Sequence, residues 1–266
     1  MPRSARPLVR RQRPFRGRRP GFTLVELAAV VGVIGLLAVA MTSVFDGIEQ
    51  ARSQNAARAD AESARQALRA FALRNKRLPC PDDSQYGDSG REGAGSGCGG
   101  GAGIGWLPYE TLGLDIPVRS KRLRYGVHRG SAGADLAAPL HGAADNADLE
   151  GIGGFSSTLA RAAAAPPSTG TPYYVTGRGV GDTCDASAGA GTGIVNPAFV
   201  VVAPATDRSG SGGIHPGFDG VHRAFVDGSG STCVAPPERA AGTGFDDVVV
   251  AESHTALLGW LLSATR

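Results

Sequence analysis

Arg18-Arg19-Pro20-Gly21-Phe22-Thr23-Leu24-Val25-Glu26-Leu27 joins two stretches of opposite character. Upstream lie Arg3, Arg6, Arg10, Arg11, Arg13, Arg16, Arg18 and Arg19 with no acid among them. Downstream, residues 22–45 are a run of 24 whose clearly polar members are Thr23, Glu26, Thr42 and Ser43. As an α-helix this run measures about 36 Å against a hydrocarbon core of roughly 30 Å, so its length suits a membrane span. With an arginine-rich leader before the run and a net-acidic body after it, the positive-inside rule places the leader in the cytoplasm and the rest of the chain across the membrane.

Moving outward, residues 46–77 contain Gly47 but no other Gly and no Pro, and they mix Ala with Gln, Arg, Glu and Asp. Ala57, Ala61, Ala64, Leu68 and Phe71 follow spacings of four, three, four and three, which draws one apolar stripe along an amphipathic helix. Leu78-Pro79-Cys80-Pro81 stops it, because proline lacks the amide donor and its ring clashes with the preceding turn. Residues 82–105 hold ten Gly and no apolar period, which predicts an irregular loop. Short β-prone runs follow at 122–127, 173–176, 198–203 and 248–251, and residues 255–262 read as a terminal helix. The expected class is α+β, with residues 78–266 forming a β-rich domain whose antiparallel sheet packs on the helix stripe.

Composition narrows the classes further. Of the 27 Lys and Arg, eight fall in the leader; the remaining 19 face 24 Asp and Glu, a net of −5, so the basic pI does not argue for nucleic acid. Forty Gly against nine Phe, five Tyr and two Trp predict a loop-rich domain. Cys80, Cys98, Cys184 and Cys233 form no C-x-x-C pair and suit two disulfides in an oxidising compartment better than a zinc site. Four cysteines allow three pairings: Cys80 with Cys98 clamps the Gly-rich loop and Cys184 with Cys233 a larger one, but sequence does not choose among them.

A basic leader ending in Gly21, then Phe22, then a carboxylate at the fifth position of an apolar helix resembles the prepilin signal of the type IV pilin and type II secretion pseudopilin superfamily. The resemblance covers about the first forty-five residues. It implies a pilin-like fold, cleavage after Gly21 by a prepilin peptidase, N-methylation of Phe22 and retention of the helix. It further implies that Glu26 pairs with the N-terminal amine of a neighbouring subunit, setting register in a filament built at an inner-membrane assembly platform, with the globular domain in the periplasm. On that reading Glu26, costing about 2.5 to 3.5 kcal/mol at mid-bilayer, makes sense only beside another subunit. Gly32 and Gly35 are compatible with close helix packing. Many pilins carry a proline later in this helix, and residues 22–75 here contain none. A second pattern, Leu78-Pro79-Cys80-Pro81-Asp82, Cys98, Gly105-Trp106-Leu107-Pro108-Tyr109 and Thr111-Leu112-Gly113-Leu114, looks like a periplasmic prepilin-like subgroup. The expected role is structural, not enzymatic. Tip binding, DNA uptake and a soluble protein cleaved after Ala40 are the alternatives.

Other chemistries fit less well. Gly87-Asp88-Ser89-Gly90 is similar to a protease nucleophile loop, but Arg91 follows it and the first histidine is His128. The glycines of 99–105 follow no strand and lead into Trp106-Leu107-Pro108, which excludes a dinucleotide fingerprint. Asp82, Asp83, Asp88 and Glu92, or Asp246 and Asp247, are candidates for calcium, although a solvated acidic loop is the simpler reading. Arg119, Lys121, Arg122, Arg124 and Arg129 around Tyr125 are read as a solvated strand face in preference to a nucleic-acid or lipid-head surface.

Overall fold

The computed structural model describes residues 21, 23–93, 103–131, 133–137, 154–177, 184, 191–207, 215, 217–223, 232–242 and 244–264, with the side chains of 40, 42–44 and 46 outside that set. The class is α+β, and the chain divides into two compact units, residues 1–47 and 48–266.

Helix α1 is Leu24–Asn75. It ends before the prolines, at Lys76, whose φ of 54° is the left-handed conformation that closes a helix. The last turn is satisfied locally: Asn75 Nδ2 donates to the Phe71 carbonyl, and Lys76 gives its main-chain N–H to Ala72 and its ammonium to Leu73.

In residues 48–266 a four-stranded antiparallel sheet runs β1 (Ile104–Trp106), β2 (Arg124–Val127), β5 (Phe199–Ala203), β6 (Val248–Glu252), in that spatial order. The helix stripe Ala57, Ala61, Ala64, Leu68 and Phe71 is buried in one core with Tyr125, Val127, Phe199, Val201, Ala203 and Val250. Alternate residues of the same strands, Val200, Val202 and Val249, point the other way and pack with Trp106, Phe218, Val234 and Phe245. Strand β5 is therefore buried on both faces, which explains its unbroken Phe-Val-Val-Val-Ala run. Arg69 ties the helix to the sheet, donating to Glu252 Oε1 at 2.7 Å, with Arg65 at 3.8 Å from the other oxygen. That carboxylate is almost fully buried, so its charge needs the guanidinium groups.

Two expectations change. The sheet is not one: β3 (Tyr174–Thr176) pairs with β4 (Gly193–Val195) in a separate two-stranded ribbon. The Gly-rich stretch is not wholly irregular, since its last residues form β1. Two further helices, α2 (Tyr109–Leu112) and α3 (Phe155–Ala164), join the terminal α4 (His254–Ala264). Phe155, Leu159 and Ala162 pack with Leu257 and Leu261 in the first core. Replacing Leu68 by Ala should lower unfolding free energy by about 2–5 kcal/mol, measured by urea denaturation, whereas Glu49→Ala on the exposed side should change it by less than about 0.5.

Candidate functional site

At the start of α1, Thr23 and Glu26 form a reciprocal cap. Glu26 Oε2 accepts from the Thr23 main-chain N–H at 3.0 Å and from Thr23 Oγ1 at 3.1 Å, while the Glu26 N–H donates to Thr23 Oγ1 at 3.3 Å. This is a capping box, which satisfies amide donors that the first turn leaves without helical partners and sets a negative charge at the positive end of the helix. Glu26 therefore has hydrogen-bond donors in its own chain, which the reading of it beside another subunit did not anticipate. The Thr-x-x-Glu spacing, residues 23 to 26, carried that signal.

Beyond the cap, the helix exposes apolar side chains on every side, among them Leu24 at 85 %, Val25 at 77 % and Leu36 at 74 %, with Leu27, Val30, Val31, Val33, Ile34, Leu37, Val39, Met41 and Phe45 also exposed. Among the described residues no helix is long and apolar enough to cross a membrane. The leader, Phe22 and the side chains of Ala40, Thr42, Ser43 and Val44 lie outside them, so the expected cleavage and methylation residue Phe22 and part of the 22–45 run are not described. Gly21 is described, and a side chain there would meet nothing within 4 Å.

The two halves of the softer motif come together in space. Asp82 and Trp106 exchange main-chain hydrogen bonds, both at 2.9 Å, and the Asp82 carboxylate accepts the N–H groups of Ser84 and Gly90. Gly90 in turn accepts from Glu110 and Thr111, and Thr111 Oγ1 accepts the Glu92 N–H. Tyr109 Oη accepts the Leu123 N–H, and Tyr125 Oη donates to the Pro79 carbonyl. Gly105 is required because a Cβ would stand 2.7 Å from the Asp82 carbonyl oxygen and from Pro81 Cβ. Gly105→Ala should lower stability by about 1–3 kcal/mol in the same denaturation assay, since main chain rather than a flexible side chain must yield.

The acids of 82–92 named as calcium candidates serve separate partners. Asp88 is bound by Arg122 and Arg119, whose hydrogen bonds hold its carboxyl below the ordinary range. Glu92 forms a two-pronged pair with Arg77 at 2.6 and 2.7 Å and accepts the Cys80 N–H; burial raises its pKa, but these bonds outweigh it and the net shift is downward. The solvated acidic loop is thus corrected to an ion-paired one. The solvated basic face is corrected as well: Arg122 is buried, Arg129 pairs with Asp135, Arg124 lies 4.3 Å over the Trp106 ring, and burial lowers its pKa to about 10. Arg119 stacks 4.9 Å over Tyr86.

Among the described residues the one acidic group close enough to hold a cation is Asp219, Asp246 and Asp247, all buried, with ligand atoms within 4.8 Å of one another. An all-oxygen set suits a hard cation such as calcium. Hydrogen bonds also account for much of it. His222 Nε2 accepts the Ala235 N–H, so Nδ1 carries the proton and donates to Asp247 Oδ2, which accepts the Asp219 N–H too; Thr206 donates to both oxygens of Asp246. Burial nevertheless raises the Asp247 pKa. Asp219 and His222 gave no sequence signal, being far from Asp246 in the chain.

Cys184 and Cys233 form a disulfide with Cα atoms 5.9 Å apart. Cys80 is also disulfide-bonded, and Cys98 lies outside the described residues. Comparison with protein-family models, curated proteins and solved structures gives no match.

His128 and His254 meet edge to face at 4.9 Å, both buried, and neither His128 Nδ1 nor His254 Nε2 has a hydrogen-bond partner among the described residues. Burial, then the neighbouring His128, pushes the His254 pKa down to about 4, and burial lowers that of His128. A lowered folded-state value means the neutral rings stabilise the fold above the ordinary value of 6.5, and this is lost as pH falls towards 4. The melting temperature should therefore drop over that window, and His254→Phe should flatten the drop.

Proposed function

We propose that this chain is a structural subunit of a type IV pilin-like filament, a pseudopilin or minor pilin of a type II secretion pseudopilus or type IV pilus. Prepilin peptidase matures it between Gly21 and Phe22, and Phe22 is then methylated. The observation that carries the reading is the apolar, exposed start of α1, in the same helix whose later stripe is buried in the α+β domain. Large exposed apolar surface requires cover, and a lipid bilayer before assembly and the helices of other subunits afterwards supply it. The basic leader upstream supports insertion with the leader in the cytoplasm and the domain in the periplasm. Two disulfides support the same oxidising compartment.

In this reading the fold is pilin-like, residues 22–45 span the inner membrane until the assembly platform extracts them, and the work of the protein is polymerisation rather than catalysis. Glu26 has two tasks. Its main-chain and side-chain bonds to Thr23 start the helix, and its charge pairs with the terminal amine of the adjoining subunit.

Intact-mass and N-terminal sequencing of the protein from the host membrane fraction tests processing. A chain starting at Phe22 is expected; one starting after Ala40 means a released protein and overturns the reading. Substitution separates the two tasks of Glu26. Glu26→Gln keeps an acceptor for the cap and removes the charge, so it should enter the membrane normally yet be depleted from sheared filaments at least about tenfold. Incorporation of Glu26→Gln at wild-type levels, with loss only in Glu26→Ala, would leave the carboxylate a capping role alone.

A further inference from the structure

Next in the chain to Phe218 and Phe245, which cover the second face of β5, three carboxylates are buried together. Asp219, Asp246 and Asp247 each offer an oxygen, and these atoms all lie within 4.8 Å of one another. Like charges held this close and out of water repel unless a cation or protons come between them.

The donors around the group are neutral, and they leave one oxygen over. Asp247 Oδ2 accepts from His222 Nδ1 at 2.7 Å and from the Asp219 N–H at 3.1 Å, while the Thr206 N–H and hydroxyl hold Asp246. Both ring nitrogens of His222 are engaged, because Nε2 accepts the Ala235 N–H; the ring is therefore uncharged and is not itself a metal ligand. The Asp247 side chain is 0 % exposed, yet its Oδ1 has no hydrogen-bond partner among the described residues. Its carboxylate belongs to the group of three, so this oxygen stands in the cluster and not apart from it. A cleft of about 360 Å³, walled by Asp246 and Asp247 together with Glu62 of α1, gives an ion a way in.

We propose that Asp219, Asp246 and Asp247 bind a calcium ion, with Asp247 Oδ1 among its ligands. Two oxygens on one cation stand no further apart than two bond lengths, about 4.6–5.2 Å for calcium and about 4.0–4.2 Å for magnesium. A spread of up to 4.8 Å therefore suits calcium without movement of the side chains. A ligand set of carboxylates alone favours a hard cation over zinc or copper. The hydrogen bonds from His222 and Thr206 act as the outer layer that orients the ligands. Bound calcium ties the segment of Asp219 to the residues just before β6, and so secures the cover over the second face of the sheet.

Calorimetric titration with calcium chloride tests this on the full-length chain, purified in detergent and stripped with EGTA. One ion per chain should bind with Kd below about 1 mM, and magnesium at least about tenfold more weakly. At about a hundredfold excess over Kd the melting temperature should rise by about 5–10 °C. Asp247→Asn keeps an acceptor for His222 and puts an amide in place of the free oxygen, so it should fold in EGTA and lose both the heat and the thermal shift. Hydrogen exchange on the wild-type chain locates the ion without a variant: calcium should slow the Asp219 and Ala235 amides at least about tenfold. No binding at about 10 mM calcium, unchanged binding by Asp247→Asn, or slowing confined to other segments overturns the proposal. None of these outcomes depends on cleavage after Gly21.

Discussion

The contact between the small residues of α1 and the Phe199, Val201 and Ala203 face of β5 governs the arrangement of residues 48–266. Ala57, Ala61 and Ala64 let the helix backbone approach the sheet, and the larger Leu68 and Phe71 are buried in the same core further along. Helix and sheet would otherwise each leave a stripe of apolar surface wet. β5 is covered on its second face by Phe218, Val234 and Phe245, so the chain at each of these residues folds back over the sheet. The buried Arg69–Glu252 pair then fixes where along the helix the last strand sits, since a displaced register would strand the carboxylate without its guanidinium.

Sequence periodicity exposed this part of the molecule well. The helix stripe is a regular four-three pattern, and β5 and β6 are β-branched runs bounded by turn residues. Strand β1 was hidden because Ile104-Gly105-Trp106 is too short for alternation and sits at the end of a glycine-rich stretch; it is a strand because Gly105 admits the Asp82 main chain, a tertiary reason. Strand β4 was hidden for a similar reason, Gly193-Ile194-Val195 being three residues long. Helix α3 was legible in the Phe155, Leu159, Ala162 spacing but lay among alanines and glycines without a capping side chain.

The candidate site residues divide in the same way. What depends on neighbours in the chain could be read directly, including Thr23 with Glu26. Polar partners far apart in the chain could not: Asp88 finds Arg119 and Arg122, Glu92 finds Arg77, and Asp247 finds His222. A loop full of acids and a strand rich in arginine look like two separate solvated surfaces when read singly. They meet at Asp88, which both Arg119 and Arg122 bind, while Glu92 and Arg129 are neutralised by Arg77 and Asp135.

The cap at the head of α1 has a further physical meaning. One oxygen of Glu26 gathers both the amide and the hydroxyl of Thr23, so the negative charge is dispersed over donors that belong to the same turn. An isolated carboxylate entering a medium poor in water must leave its hydration behind. This one brings a substitute that is covalently part of the helix and oriented before any transfer takes place. The head of α1 is in effect a charge that carries part of its solvation layer within its own turn.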